Sequence, residues 1–246
     1  MAAPNGLQPT AALAERVLLP GDPGRALMLA EALLEGAKMF NHNRGLWGYT
    51  GLAPDGEPLT IQSTGMGGPS AAIVIHELID LGAHRLLRVG TCGALREGLA
   101  LGDLVIATEA IVADGTSRAL GAGERVPASR ELLDAVIATA ESPFADHDHE
   151  HAVRTGPIVT TDLFYDERGL EGSWSEAGAL AVEMEAATLF ALAGALGAQA
   201  AALLVVSDIV LPERTRIGQE ELRAAERQMG EAALRALTAE GAVAQP

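Results

Sequence analysis

Arg88 interrupts the otherwise apolar run RLLRVG at residues 85–90, and a buried guanidinium destabilises a strand unless something pairs with it. The small residues Gly90, Thr91, Cys92, Gly93 and Ala94 follow, and they read as a short flexible loop at the strand's carboxyl end. Open α/β sheets bind ligands beyond the carboxyl ends of their strands, so Arg88 and Thr91 stand where an anion would be held. A structural salt bridge is the other use for such an arginine. A second anion-binding pattern is Gly21-Asp22-Pro23-Gly24-Arg25, in which a strand ends in a glycine turn and a helix opens with arginine in its first turn. Backbone N–H groups and a charged fork at a helix start suit a phosphate, although an ordinary turn with a solvent arginine has the same spelling.

Two carboxylate motifs complement these cations. Glu183 and Glu185 stand two residues apart at a strand-to-helix junction, a spacing that puts them on different faces of a helix. One facing inward could accept hydrogen bonds from the 2′,3′-diol of a ribose; both could instead simply favour a helix N-terminus. Ser207-Asp208 follows the apolar run 201–206, so its carboxyl could act as an acid or merely cap a turn.

Positioning these groups requires strands and helices in alternation. β-Branched and Leu-rich runs at 16–20, 59–64, 85–90, 103–108 and 201–208 read as strands. Apolar residues at three- and four-residue spacing predict helices over 24–34, 70–81, 129–140, 185–196 and 220–237. Residues 47–52 and 59–62, joined through Ala53-Pro54-Asp55-Gly56, form an expected β-hairpin. The alternation predicts an α/β layered fold, and 246 residues with 48% hydrophobic side chains suit one domain over 1–246.

Composition removes several classes of function. The formal charge of −16, without a basic stripe, argues against nucleic acid as a partner. One cysteine, Cys92, excludes an intrachain disulfide and a cysteine-rich zinc site. The sequence carries neither a membrane-length apolar stretch nor a secretory h-region, and a cytoplasmic, membrane-free protein is expected. The polar stretch at 146–151, DHDHEH, reads as a solvated loop rather than a metal site. P-loop, dinucleotide-binding, zinc-protease and nucleophile-elbow patterns are all incomplete or missing.

Taken in order, these segments resemble the hexameric nucleoside phosphorylase family, which contains bacterial purine nucleoside phosphorylases and uridine phosphorylases. The resemblance extends to Asn43-Arg44-Gly45, to Gly65-Met66-Gly67-Gly68-Pro69-Ser70, to Thr161-Asp162-Leu163-Phe164-Tyr165 and to Ala225-Glu226-Arg227-Gln228. It implies a three-layer α/β/α sandwich around a twisted mixed sheet and a homo-oligomer, typically a trimer of dimers. It also implies phosphorolysis of purine (deoxy)ribonucleosides, with inorganic phosphate as co-substrate and no metal or other cofactor. By motif position, Gly21, Arg25, Arg88 and Thr91 would bind phosphate, with Arg44 lent by a neighbouring subunit. Met66, Met184 and Glu185 would contact ribose. Cys92, Gly93, Phe164, Val182, Ser207 and Asp208 would surround the base, and Asp208, assisted by Arg227, would help it depart.

The chain departs from the family pattern in two places: no histidine stands within the first 20 residues to reach a neighbour's ribose 5′-hydroxyl, a contact His42 could supply instead, and the stretch between Asp208 and Arg227 is long and contains Arg214 and Arg216. A uridine phosphorylase is the main rival, because Arg168 follows Phe164-Tyr165 as in the pyrimidine enzymes, although without their glutamine. A hydrolytic nucleosidase would not need the arginines, and a non-catalytic nucleoside-binding protein would be expected to have lost one of these groups.

Overall fold

Burial of alternate residues on both sides of one sheet organises the chain. The computed structural model describes residues 6–140, 152–211 and 213–238, so the histidine-rich stretch at 146–151 lies outside the described residues. The first strand, β1 (Arg16–Leu19), runs into α1 (Pro23–Leu33), which Asp22 caps by accepting the Arg25 N–H at 2.7 Å. Three antiparallel strands follow, β2 (Glu35–Asn41), β3 (Gly48–Leu52) and β4 (Pro58–Gln62), the last two being the expected hairpin. Next come α2 (Gly68–Asp80), β5 (Arg85–Ala94), β6 (Leu104–Val112), α3 (Gly115–Ala119), β7 (Arg125–Pro127) and α4 (Arg130–Ala140). The chain then continues through β8 (Val153–Thr160), α5 (Glu171–Glu176), β9 (Ala181–Glu183) and α6 (Ala186–Leu196). It finishes with β10 (Gln199–Ile209), β11 (Thr215–Arg216) and α7 (Gln219–Thr238).

The strands form one mixed 11-stranded sheet in the order β11-β10-β6-β8-β9-β5-β1-β4-β3-β2, with β7 on β6. An additional pairing of β10 with β5 closes β10, β6, β8, β9 and β5 into a ring. Strand β10 shows how the layers are held. Its Ala202, Leu204 and Val206 join the core beneath α2 and α6, while Leu203 and Val205 join the opposite core beneath α1, α4 and α7. Each fully buried Leu or Val contributes about 1.5–3 kcal/mol relative to exposure. Helices therefore cover both faces, as the α/β/α expectation requires. Among the described residues, no helix is long and apolar enough to cross a membrane.

Two segments depart from the sequence reading, and both shape the site. The stretch Gly90–Ala94 is not a flexible loop. It continues β5, because Gly93 and Ala94 pair with Val182 and Ala181 on one side and with Asp208 and Ile209 on the other. Strand β10 likewise continues through Ser207 and Asp208, but with a register shift between Val206 and Asp208. A bulge of this kind re-aims side chains, which is how two successive residues come to line one cavity.

Candidate active site

A cavity of about 300 Å³ opens where the carboxyl ends of β1, β5 and β10 meet β9. Its lining contains every expected residue except Arg44 and Arg227.

The buried floor is a charged cluster built on Arg88. Gly90 follows it two positions along the same strand face, and a Cβ there would stand 2.8 Å from an Arg88 terminal nitrogen. Only glycine leaves room for the guanidinium to fold back over its own strand. Arg88 Nε donates to Glu183 Oε2 at 2.8 Å, and a terminal nitrogen reaches Glu185 Oε2 at 2.5 Å. Both glutamates thus converge on one cation, contrary to the expectation from their spacing. They straddle the junction, Glu183 ending β9 and Glu185 standing at the α6 N-cap with φ −138° and ψ −19°, before the helical turn that would separate residues two apart. All three residues are about 5% exposed or less, a degree of burial tolerable only because each is paired. Burial by itself would depress the Arg88 guanidinium, but Glu185 and Glu183 outweigh it and hold its pKa above the usual arginine range. Burial pushes the Glu185 carboxyl up, with Arg88 opposing and Glu183 adding to the shift.

Each glutamate serves a different purpose. Glu183 is saturated: it accepts from Arg88, from the Thr160 hydroxyl at 2.5 Å and from the N–H groups of Glu185 at 2.8 Å and Ala186 at 3.0 Å. It is a structural anchor that the sequence reading left among the alternatives. Glu185 accepts from Arg88 and from the Gly67 N–H, which leaves part of a carboxylate's roughly four lone-pair sites open beside Met66 and Met184.

Arg25 enters from the first turn of α1 and is held by Glu226 of α7, at 2.7 Å from Nε and 2.6 Å from a terminal nitrogen. The Arg25 N–H is already taken by Asp22, so this helix start offers an anion its arginine more than its backbone. Helix phase explains the placement of Arg227. Successive helical residues are about 100° apart, so with Glu226 turned inward its neighbour is exposed, and Arg227 does not line the cavity. The cation at Asp208 is instead Arg216 of β11, 2.7 Å from Oδ1, while the Ser207 hydroxyl donates to Oδ2 at 2.8 Å. Arg44 is also outside the cavity. It stands exposed at φ 57° and lines a separate groove with Ile73 and His76.

Opposite the cluster, the cavity is lined by Cys92, Gly93, Val182, Val210 and the half-exposed Phe164. Burial raises the Cys92 thiol far above its usual range, so it remains a protonated wall group rather than a nucleophile. Arg168, the residue suggestive of pyrimidine reading, is exposed and bound to Asp166 at 2.7 and 2.6 Å.

The chain is similar to several known proteins. The family model of the phosphorylase superfamily matches residues 15–239. A DeoD-type purine nucleoside phosphorylase of Geobacillus kaustophilus is 38% identical over 221 residues, covering 89% of each chain. A guanosine phosphorylase of Halorubrum lacusprofundi is 38% identical over 218 residues, covering 82% of this chain and 87% of that one. The crystal structure of a uridine phosphorylase from Vibrio fischeri superposes with a TM-score of 0.81 at 27% identity, covering 92% of this chain and 91% of that one.

Proposed function

Because the chain belongs to the phosphorylase superfamily, we propose that it cleaves purine nucleosides with inorganic phosphate, releasing the free base and ribose or deoxyribose 1-phosphate. The observation that carries this reading is a single cavity holding arginines Arg25 and Arg88, the diol acceptor Glu185 and the carboxyl of Asp208.

Phosphate bound by Gly21, Arg25, Arg88 and Thr91 attacks the anomeric carbon. As the glycosidic bond loosens, positive charge grows on the sugar and negative charge on the base, and a site that stabilises both lowers the barrier. Glu185 holds the ribose hydroxyls, with Met66 and Met184 against the ring. Asp208, once protonated, releases one of its present donors and delivers a proton or hydrogen bond to N7. No covalent enzyme intermediate, metal or other cofactor enters this scheme. We place Arg216 rather than Arg227 beside the acid.

Purines are favoured over uridine because the relatives at 38% identity are named for purine nucleosides and guanosine, and because Asp166 holds Arg168. The arginines of the cavity favour phosphate over water as the nucleophile. An assembly of copies, in which the exposed Arg44 reaches a neighbour's cavity, and a cytoplasmic location complete the reading. Base release from inosine, adenosine, guanosine and uridine, each with and without phosphate, tests it. Purine release that needs phosphate supports it, whereas release from uridine alone or release without phosphate contradicts it.

A further inference from the structure

The base end of the cavity holds more cation than departure of the base requires. Arg214 lines the cavity, Arg216 binds Asp208, and each guanidinium carbon lies 5.5 Å from the centre of the Phe164 ring. Phe164 meets Tyr165 edge to face, with centroids 5.0 Å apart. Guanidinium groups over an aromatic face attract it, so the two arginines also hold the ring that walls the base. Both belong to the long stretch between Ser207-Asp208 and α7 where this chain departs from the family pattern.

An inventory of hydrogen-bonding groups gives this wall a polarity. Both Asp208 oxygens accept, one from Arg216 and one from Ser207, and the Ser207 hydroxyl also lies 3.3 Å from the Cys92 carbonyl. Cys92 Sγ points at the Val205 carbonyl. What the wall has in surplus is donors: among the described residues, Arg214 makes no hydrogen bond or ion pair, and Arg216 bonds only through Nε. The corresponding purine edges differ in one group. A 6-oxopurine offers two adjacent acceptors, O6 and N7, whereas a 6-aminopurine offers the N7 acceptor beside an amino donor. With Asp208 on N7, an arginine N–H completes the first edge by donating to O6, and it carries no acceptor for the amino group of the second.

Building on the phosphorolysis reading, we propose that Arg214 and Arg216 are specificity-determining residues that select 6-oxopurine nucleosides, guanosine and inosine, over adenosine. Arg214 is the cleaner test because it does not touch Asp208, and both side chains are exposed enough to be replaced without disturbing the core.

The experiment compares kcat/KM for guanosine, inosine and adenosine at saturating phosphate in the wild type, Arg214→Ala, Arg216→Ala, the double variant and Arg214→Lys. The wild type is expected to favour the 6-oxopurines by about tenfold or more, the order of one charged hydrogen bond made to O6 and unmade against an amino group. Arg214→Ala should lower 6-oxopurine turnover about tenfold while adenosine changes less than about threefold, and Arg214→Lys, which keeps a charged donor, should retain part of the preference. The double variant should lose the preference. A wild type that cleaves adenosine as well as guanosine, equal losses on all three substrates, or full selectivity in Arg214→Ala would overturn the proposal. Phosphate-dependent cleavage of none of the three would remove the phosphorolysis reading beneath it as well.

Discussion

Replacing Glu183 with Gln removes one charge from beneath the cavity while leaving its shape. In the native protein the Glu183 carboxylate is 4% exposed and accepts from Arg88, Thr160 and the N–H groups of Glu185 and Ala186. A glutamine keeps one acceptor oxygen and turns an NH2 toward groups that are themselves donors. The Arg88 guanidinium then retains only Glu185 as a full counter-charge. Breaking a buried pair on one side typically costs about 3–5 kcal/mol. At about 2–4 °C per kcal/mol for a domain of this size, the midpoint of thermal unfolding should fall by roughly 6–20 °C. Arg88 also loses the contact at Nε that fixes its plane, and small misplacements of a positioning group can cost up to about a hundredfold. The KM for phosphate should therefore rise about 10- to 100-fold at a temperature where the variant is folded. Calorimetry and initial rates against phosphate concentration measure the two effects. An unfolding midpoint within 2 °C of wild type, together with an unchanged phosphate KM, would refute the assignment of Glu183 as the anchor of Arg88.

Other substitutions probe the remaining groups. Glu226 and phosphate compete for Arg25, so Glu226→Gln should lower the phosphate KM about fivefold, the equivalent of a net hydrogen bond near 1 kcal/mol; a higher KM would mean that Glu226 positions Arg25 instead. Asp208→Asn should reduce purine nucleoside turnover by about 10²–10⁴ with little change in phosphate affinity, and unaltered turnover would take Asp208 out of the reaction. Because burial raises the Glu185 carboxyl, acidification should weaken ribonucleoside binding at a higher pH than an ordinary carboxylate would, and should affect 2′-deoxyribonucleosides less. The same shift gives a stability signature. With the folded value raised, the favourable contribution of the neutral carboxyl is complete below the unfolded value and is lost as pH rises through the folded one. Thermal unfolding of wild type relative to Glu185→Gln should therefore become less favourable to wild type over that interval, and a pH-independent difference would contradict the shift.

The parts of this protein legible in its sequence were those with a local cause. Arg88 was conspicuous because it interrupts an apolar strand, and Asp22-Pro23 because a cap and a proline mark a helix start. Strands with a steady apolar run, such as β1 and β10, were visible for the same reason. Strand β8 was hidden because Gly156 and Pro157 stand in its middle, and β2 because five of its seven residues are exposed. The ring closed by β10 and β5 depends on pairing between residues more than 100 positions apart, which no periodicity encodes. The site followed the same division. Residues of the motifs, Arg44 and Arg227 apart, line the cavity, whereas their partners from distant elements were not foreseen: Glu226 on Arg25 and Arg216 on Asp208 are set by how α7 and β11 dock. Arg227 lies outside the cavity because its motif names a residue type at a position, and helix phase turns the adjacent Glu226 inward in its stead.

The most direct test of phosphorolysis is the product balance. Purified protein incubated with inosine and inorganic phosphate is predicted to form one equivalent of ribose 1-phosphate, followed by ³¹P NMR, for each equivalent of hypoxanthine released. Hypoxanthine released with free ribose and no new phosphate ester would contradict it.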